Sequence, residues 1–268
     1  EQRVQQFLDV LRQRLDFQAH AEIHSTNFFP TGAGLASSAS AFAALTLAAV
    51  KGRGLSLSAE ALSRLARQGS GSACRSLLGG FVEWQAGERE DGMDSFSVAL
   101  EPDAVDSWKP VMVVLVLTSA HKAVGSGDGM QRTVETSPLY ASWLDSIAVD
   151  LRDMRAGILA RDFEKVGALM EHNALKMHAT ALAARPSVLY WEPASVALIH
   201  HVQDLRQDGV PCYLTMDAGP NVKVLLPPVS AGLSAEQQAE YIQRVVSHPA
   251  VTQHFVCQPG PAAHVIAP

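Results

Sequence analysis

Apolar residues recur at two different spacings along the chain, and each spacing predicts a different backbone element. Within residues 1–15, Phe7, Leu11 and Leu15 lie four positions apart, which predicts an amphipathic helix. Residues 18–26 instead alternate apolar with polar side chains, which predicts a half-buried strand. Both periods occur, so the predicted fold contains helices and strands.

Small residues surround the next two predicted helices. An Ala-rich apolar stretch follows the loop at 27–34 and predicts a buried helix over 35–50, with its first turn facing the loop. Gly52 follows the last turn and is typical of a helix end. Ser58 is placed to cap a short helix that runs to about residue 68.

The second half of the chain is richer in helix. Strands are predicted at 80–86, 111–118, 211–216, 222–226 and 253–257. Helices are predicted at 138–160, 162–183, 188–207 and 234–247. The run at 111–117 is apolar throughout, which predicts a strand covered on both faces. Since strands and helices do not alternate strictly, we predict a two-layer α+β fold, with a domain boundary in the polar stretch at 101–110.

Composition narrows the function classes. Hydrophobic residues make up 47% of the 268 residues and charged residues 18%, as in an ordinary globular protein. The net charge of -6 argues against a nucleic-acid partner, and no apolar run is long enough to span a bilayer. The polar start of the chain is not typical of a secretory signal. Three widely spaced cysteines without a CxxC pair argue against zinc and disulfides, so we expect a cytoplasmic protein.

Four segments hold residues that can carry chemistry, and each also has an ordinary structural interpretation. The loop and helix start at 30–40 could bind an anion through backbone N–H groups, with Ser37 and Ser38 as hydroxyl donors or magnesium ligands. It lacks the Lys of a Walker A motif, and a tight turn before a packing helix is equally consistent. The loop at 69–76 could bind a phosphate or carboxylate through Arg75, or simply cap a helix.

The other two segments are weaker when taken alone. Residues 122–136 contain a Gly-rich polar loop around Ser126, which could contact a phosphate or act as a lid. Asp217 lies between two predicted strands and is followed by Ala-Gly-Pro-Asn, which is also typical of a common turn. The ten histidines show no HExxH spacing, so core or surface positions are the default interpretation.

Taken together, the four segments resemble one family. The strings PTGAGLASSAS, SGSACRSLLGGFVEW, GMQRTVETSPLY and MDAGPNVKVL occur here in the order typical of diphosphomevalonate decarboxylases, which belong to the GHMP kinase superfamily. The resemblance extends from about Phe17 to the end of the chain. It implies an N-terminal α/β nucleotide-binding domain at 1–108 and a C-terminal ferredoxin-like domain at 109–268, with the active site in the cleft.

The resemblance also implies an activity. ATP would phosphorylate the tertiary hydroxyl of mevalonate 5-diphosphate, and loss of phosphate and carbon dioxide would give isopentenyl diphosphate in the mevalonate pathway of isoprenoid biosynthesis. ATP and Mg²⁺ are the implied cofactors, a homodimer is the implied assembly, and neither nucleic acid nor membrane is an expected partner. The protein metal ligands stay open.

Site residues follow from the matching motifs. Asp217 aligns with the catalytic aspartate, and Arg75 with the arginine that holds the substrate carboxylate. The implied substrate contacts are Ser70, Gly71, Ser72, Arg75 and Ser126. The implied nucleotide contacts are Gly34, Leu35, Ala36, Ser37 and Ser38.

The chain also departs from the family pattern. Glycines stand at 125 and 127 where the family has hydroxyl residues, and Gly32 replaces an alanine. The family's first strand and loop, which carry an Asn, a Tyr and lysines for the substrate phosphate, are not found, so we expect the chain to begin inside the N-terminal domain. Two other functions stay open: a relative that only phosphorylates, or that uses the monophosphate, and an inactive fragment that acts as a binding module.

Overall fold

The computed structural model describes residues 2–29, 35–101, 108–118, 124–229 and 232–266. These residues form two compact units. The first unit contains the described residues of 2–29, 36–101 and 260–266, and the second contains Leu35 and the described residues of 108–259.

Three helices and a small antiparallel sheet make up the first unit. The helices are α1 (Gln2–Leu15), α2 (Ser37–Gly52) and α3 (Ala59–Ala66), and the strands are β1 (Val82–Trp84) and β2 (Ser97–Ala99). Phe7 of α1 packs edge-on against Phe42 of α2, with ring centroids 5.2 Å apart. The predicted cap of α3 is confirmed, since Ser58 Oγ accepts from Ala61 N at 3.2 Å.

The strand predicted at 18–26 is wrong. Residues 17–27 have no regular secondary structure, and every side chain from 18 to 28 is exposed, Ile23 by 41%. Alternating apolar and polar side chains are not sufficient for a strand, because its backbone N–H and C=O groups must also pair with a neighbouring strand. Among the residues that the structure describes, no strand pairs with this segment. Strand β2 was not predicted, since three residues are too few to show a period.

The second unit packs helices on a four-stranded antiparallel sheet of order β4-β5-β3-β6. Its strands are β3 (Val111–Val116), β4 (Tyr213–Met216), β5 (Val222–Leu226) and β6 (Gln253–Cys257). Its helices are α4 (Ser126–Thr136), α5 (Tyr140–Ala160), α6 (Phe163–Leu182), α7 (Pro193–Gln207) and α8 (Ala235–Val246). The predicted α+β class is confirmed, and α7 begins five residues later than predicted because Pro193 occupies its first turn.

One face of this sheet forms the main core. Val113 and Leu115 of β3 are fully buried in one cluster with Leu198 and Val202 of α7. On the opposite face of β3, Met112 and Val114 are half-buried and Val116 is buried. The prediction of a strand covered on both faces therefore holds fully for one face and only at Val116 for the other. The buried face fixes the register of β3 with β5, because a shift by one residue would turn the apolar side chains outward.

Helix α6 lies close against β4, the strand that leads into the Asp217 turn. Gly167 of α6 has no side chain, which allows the ring of Tyr213 to approach the helix backbone. The guanidinium of Arg206 also lies over this ring, 4.6 Å from its centroid. Arg206 also donates to both carboxylate oxygens of Glu171, at 2.8 and 3.0 Å. These contacts hold β4 in place.

We expect Gly167→Ala to destabilise the protein by about 1–3 kcal/mol, since the added methyl group would overlap the Tyr213 ring. Gly127→Ala in α4 is the matched control, because a Cβ at that position meets nothing within 4 Å and alanine favours the helix. Thermal unfolding followed by circular dichroism measures both changes. Equal melting temperatures for the two variants would contradict the close approach of α6 to β4.

Candidate active site

The turn that carries Asp217 is pinned by buried hydrogen bonds. Asn221 is 1% exposed; its Oδ1 accepts from Leu117 N at 2.8 Å, and its Nδ2 donates to Thr118 O at 3.2 Å. Ser195 Oγ, from the first turn of α7, donates to Pro220 O at 2.7 Å. The asparagine therefore ties the turn to the end of β3, and the serine ties it to α7.

The carboxylate of Asp217 lies at the surface beside an ammonium group. Its side chain is 59% exposed, and its Oδ2 forms an ion pair with Lys223 Nζ. Lys223 belongs to β5, where it stands opposite Thr215 in the antiparallel register, and its side chain is only 15% exposed. The lysine thus approaches from the more buried side and orients a carboxylate that solutes can reach.

A buried histidine of α6 lies beside the same turn. His178 is 2% exposed, and its ring lies close to the backbone of Met216 and Asp217. Its ring packs against Tyr190 and Trp191, with centroids 6.2 and 5.3 Å away. Burial lowers the pKa of His178 to about 4, while the charge of Asp217 acts in the opposite direction. The imidazole is therefore neutral near pH 7.

The structure brings the Ser126 segment to the same cluster as the Asp217 turn. Ser126 is exposed as the first residue of α4, and no side chain caps this helix at Gly125. Tyr190 Oη donates to Gly125 O at 3.3 Å. Val124 and Ala218 pack against one shared group of buried residues: Ala181, Ala184, Val188 and Tyr190. The two predicted site segments of the second unit are thus neighbours.

A cavity of about 380 Å³ opens beside Asp217, between α5, α6 and the end of β4. Most of its lining is apolar, and Met154, Met177 and Met216 contribute to it. Asp150 supplies a charge at the wall, where Lys176 forms an ion pair with it and Asn173 Nδ2 donates to it at 3.0 Å. The pairing neutralises the charge of Asp150, and Asp217 is the charged residue that lines the β4 end of the cavity.

In the first unit, the structure brings the serine loop to the start of α2. Ser38 Oγ lies 3.2 Å from Ser70 Oγ. A short 3-10 helix at Gly71–Cys74 follows, and Ser63 of α3 holds it by donating to Cys74 O at 3.2 Å. Gly71 is required here, because a Cβ would come within 2.9 Å of the Trp84 ring. Ser70, Gly71 and Ser72 therefore form one rigid segment beside α2.

The N-terminus of α2 has the features of an anion site. Ala36 adopts a left-handed conformation with φ of 55°, and no side chain caps the helix. Ser37 and Ser38 occupy its first turn, so hydroxyl groups and the positive end of the helix dipole coincide. Leu35 lies in the bend before the helix, and Gly34 lies outside the residues that the structure describes.

The predicted site residues fall into two groups, one in each unit. Arg75 directly follows the 3-10 helix and is exposed, and it shares the first unit with Ser70, Ser72 and the start of α2. Asp217 and Ser126 belong to the second unit. Within each unit the structure brings the members close together.

Sequence reasoning missed two residues of the Asp217 turn. Lys223 is the one charged residue in the apolar strand Val222–Leu226, and that contrast was an available signal. His178 was assigned to the core or surface by default, and it is indeed buried. Its contact with Asp217 spans 39 positions in the sequence, so no local pattern could reveal it.

Comparison with known proteins identifies relatives of both units. The diphosphomevalonate decarboxylase-like N-terminal domain matches residues 1–97, and the mevalonate 5-diphosphate decarboxylase C-terminal domain matches residues 112–259. The diphosphomevalonate decarboxylase mvd1 of Aspergillus fumigatus is 41% identical over 206 residues, which cover 75% of this chain and 50% of that protein. The chain thus spans about half the length of the curated relatives it matches.

Solved structures agree with the family models. The mevalonate diphosphate decarboxylase of Staphylococcus aureus aligns with a TM-score of 0.87 and 38% identity, covering 97% of this chain and 76% of that one. A structure described as MDDEF in complex with MVAPP, AMPPCP and magnesium aligns with a TM-score of 0.85 and 41% identity over the same shares. Within the described part of the chain, no helix combines the length and apolarity that crossing a membrane requires.

Burial of neutral His178 predicts a loss of stability in acid. The unfolded chain takes up a proton near the ordinary value of 6.5, whereas the folded chain does so only near pH 4, so stability should rise with pH between these values and level off above them. We expect the free energy of unfolding to fall between pH 7 and pH 5 by about 1–2 kcal/mol more in the native chain than in His178→Asn. Urea unfolding at both values measures it.

His200→Gln is the control for this experiment, because His200 is exposed on α7 in the same unit. Its free energy of unfolding should fall between pH 7 and pH 5 by the same amount as that of the native chain. If His178→Asn and the native chain lost the same stability between pH 7 and pH 5, the histidine would not be buried in its neutral form.

Proposed function

Because the chain belongs to the diphosphomevalonate decarboxylase family, we propose that this protein catalyses the ATP-dependent decarboxylation of mevalonate 5-diphosphate to isopentenyl diphosphate. The observation that carries the proposal is the Asp217 turn. An exposed carboxylate is held there by a lysine at its side, and a buried histidine lies beneath its backbone. A common surface turn has no need of such support.

Asp217 acts on the tertiary hydroxyl of the substrate. Its carboxylate accepts or orients the hydroxyl proton while the oxygen attacks the γ-phosphorus of ATP. Lys223 engages Oδ2, so the hydroxyl meets Oδ1. Fixing the carboxylate in advance removes the cost of orienting it during the reaction, which is a general source of rate enhancement.

The second step breaks two bonds, one carbon–oxygen and one carbon–carbon, and forms two: the second bond of the alkene, and the second C=O bond of carbon dioxide, which comes from a lone pair of the carboxylate oxygen. The carbon–oxygen bond to the new phosphate breaks, and its electron pair leaves with the phosphate. Positive charge develops on that carbon, and the bond to the neighbouring carboxylate then supplies the electron pair of the new carbon–carbon double bond as carbon dioxide departs. No oxidant or reductant is needed for this balance.

Arg75 holds the carboxylate that becomes carbon dioxide. A guanidinium suits this task because its two parallel N–H groups match the two carboxylate oxygens. The 3-10 helix before Arg75 is anchored by buried Ser63, which gives the arginine a fixed base. Ser70, Gly71, Ser72 and Ser126 contact the substrate phosphates.

The start of α2 binds the nucleotide phosphates. Gly34, Leu35 and Ala36 approach them through the backbone, and Ser37 and Ser38 add hydroxyl groups. Mg²⁺, bound with the nucleotide, supplies positive charge that screens the phosphates. A relative was solved in complex with AMPPCP and magnesium, which supports this assignment.

The wider setting follows from the same family membership. We infer a nucleotide-binding domain at 1–108 and a ferredoxin-like domain at 109–268, in a cytoplasmic homodimer of isoprenoid biosynthesis. The division of the described residues into two units near position 106 supports the boundary there, although residues 260–266 group with the first unit and Leu35 with the second.

We expect Asp217→Asn to lower kcat by at least about 100-fold, because the amide cannot accept the hydroxyl proton. Release of phosphate and of carbon dioxide from mevalonate 5-diphosphate, with ATP and Mg²⁺, measures the effect. Asp204→Asn is the matched control, since Asp204 is an exposed carboxylate on α7 in the same unit. Unchanged turnover in Asp217→Asn would remove Asp217 from the mechanism.

The products separate this function from its alternatives. Phosphorylated substrate without carbon dioxide would indicate a kinase, and faster turnover of mevalonate 5-phosphate would indicate a monophosphate enzyme. Turnover separates both from a binding module, which would bind AMPPCP and Mg²⁺ in a calorimeter without converting either substrate. Nucleotide binding without any turnover of either substrate would contradict the proposal.

We expect Arg75→Gln to lower kcat/KM for mevalonate 5-diphosphate by about 10–100-fold, which corresponds to losing charge-assisted hydrogen bonds. The KM for ATP should change by less than about twofold, since the arginine contacts the other substrate. Arg14→Gln, at an exposed position of α1 in the same unit, is the control. An equal rise in both KM values would show that Arg75 does not recognise the carboxylate.

A further inference from the structure

Lys223 places an ammonium group in a sheet that is otherwise built from uncharged side chains. It is the one Asp, Glu, Lys or Arg among the residues that the structure assigns to β3, β4, β5 and β6. Its strand, β5, is an inner strand, and its side chain is only 15% exposed. Removing a charge from water costs free energy, so an apolar residue would be less costly at this position.

The antiparallel register explains how this lysine reaches the Asp217 turn. Lys223 stands opposite Thr215 of β4 and Val114 of β3, so its side chain lies on the face of the sheet opposite to the main core. Asn221 lies two positions earlier in the chain and holds the turn against the end of β3. With the turn held there, Asp217 Oδ2 forms an ion pair with Lys223 Nζ.

The two partners of this ion pair differ in their access to solvent. The carboxylate of Asp217 is 59% exposed, whereas the lysine side chain lies on the less accessible side. A partly exposed ion pair contributes little net stability, so stability does not explain why a lysine is kept here. The ammonium is instead held in contact with the group that meets the substrate. Because water screens it less than at an open surface, it attracts a nearby anion more strongly.

Phosphoryl transfer moves negative charge away from Asp217. The substrate oxygen bonds to the γ-phosphorus while the bond from that phosphorus to ADP breaks, and the carboxylate takes the hydroxyl proton. Asp217 then becomes a neutral carboxylic acid, and the charge that it carried appears on the new phosphate ester. The ion pair with Lys223 therefore loses its attraction as a new anion forms on the oxygen that Asp217 had engaged.

The new anion forms within reach of the ammonium group. The substrate oxygen meets Oδ1 of Asp217, and Lys223 Nζ contacts Oδ2 of the same carboxyl group. The phosphorus is bonded directly to the substrate oxygen, and the lysine stem is flexible. An ammonium also has three N–H donors, so it donates to a phosphate oxygen while it keeps its contact with the carboxyl group.

We propose that Lys223 is a catalytic residue that follows the negative charge from Asp217 to the transferred phosphate. It orients the carboxylate before the transfer and then donates to the phosphate oxygens. When the carbon–oxygen bond breaks, its electron pair goes to the departing phosphate, which takes back the proton from Asp217, and the ion pair forms again. This inference rests on the proposed function, because it requires Asp217 to act on the hydroxyl that is phosphorylated.

Lys223→Met tests the charge, because methionine keeps an unbranched apolar stem in the sheet. We expect kcat for mevalonate 5-diphosphate to fall by about 10–100-fold, with the KM for ATP within about twofold of the native value, since the contact with phosphate forms only during the transfer. Lys223→Arg keeps a cation and should be at least about fivefold faster than Lys223→Met. Lys165→Met, at an exposed position of α6, is the control and should keep the native kcat. Native kcat in Lys223→Met would overturn the proposal.

A double variant separates a catalytic lysine from one that only positions the carboxylate. In Asp217→Asn there is no carboxylate to orient, yet the lysine still donates to the phosphate. We expect Lys223→Met to slow the residual single-turnover release of phosphate by Asp217→Asn by at least about fivefold. No further loss in the double variant would show that Lys223 acts only through Asp217, and the catalytic role would be wrong.

Nucleotide binding tests the same contact without turnover. ADP with Mg²⁺ and aluminium fluoride imitates the phosphoryl group during transfer, whereas AMPPCP with Mg²⁺ imitates the nucleotide before it. In calorimetry, Lys223→Met should weaken the aluminium fluoride complex by at least about fivefold and the AMPPCP complex by less than about twofold. Equal changes in the two affinities would contradict a contact that is specific for the transferred group.

These measurements distinguish the inference from the proposed function. If the native protein releases no carbon dioxide from mevalonate 5-diphosphate, the proposed function fails, and the calorimetric comparison still decides whether Lys223 meets the transferred phosphate. If Lys223→Met does not fold, Lys223→Gln takes its place with the same expected losses, because its amide removes the charge and keeps a polar end.

Discussion

Asn221 makes the interaction on which the arrangement around Asp217 depends. Its side-chain amide satisfies backbone groups at Leu117 and Thr118, just past the end of β3, and it is almost completely buried. Losing it would remove these hydrogen bonds from a position that water hardly reaches, which is costly. Since β3 is one of the two inner strands and pairs with both β5 and β6, the turn is anchored to the middle of the sheet. Every other group near Asp217 is placed relative to this anchored turn.

The turn combines a buried support with an accessible charge. Ser195 donates to its backbone from the core, where hydrogen bonds are shielded from water, and buried His178 lies close to it. The carboxylate of Asp217 projects outward, where an ion pair with Lys223 adds orientation rather than much stability, since partly exposed pairs are weak. A group that must meet a substrate needs both properties.

The first unit offers anions mainly backbone N–H groups and hydroxyl groups rather than charged side chains. Ser38 and Ser70 meet at the start of α2, where the helix end supplies N–H groups and a favourable dipole. Small residues allow a ligand to approach the backbone. At position 71 the residue is glycine because a Cβ would come too close to the Trp84 ring. Arg75 adds the planar guanidinium that a carboxylate matches best.

The sequence alone determined the helices, most strands and the family, and only the tertiary structure decided how the site is supported. Helices such as α1 and α6 carry their signal locally, because apolar residues recur on one face of each helix. The strand predicted at 18–26 was wrong because a strand also depends on pairing with a distant segment, and the alternation of side chains does not show whether such a segment exists. The motifs at Arg75 and Asp217 were visible because their residues are contiguous. Lys223 and His178 were not recognised, since their roles arise from contacts across a sheet and between a helix and a turn.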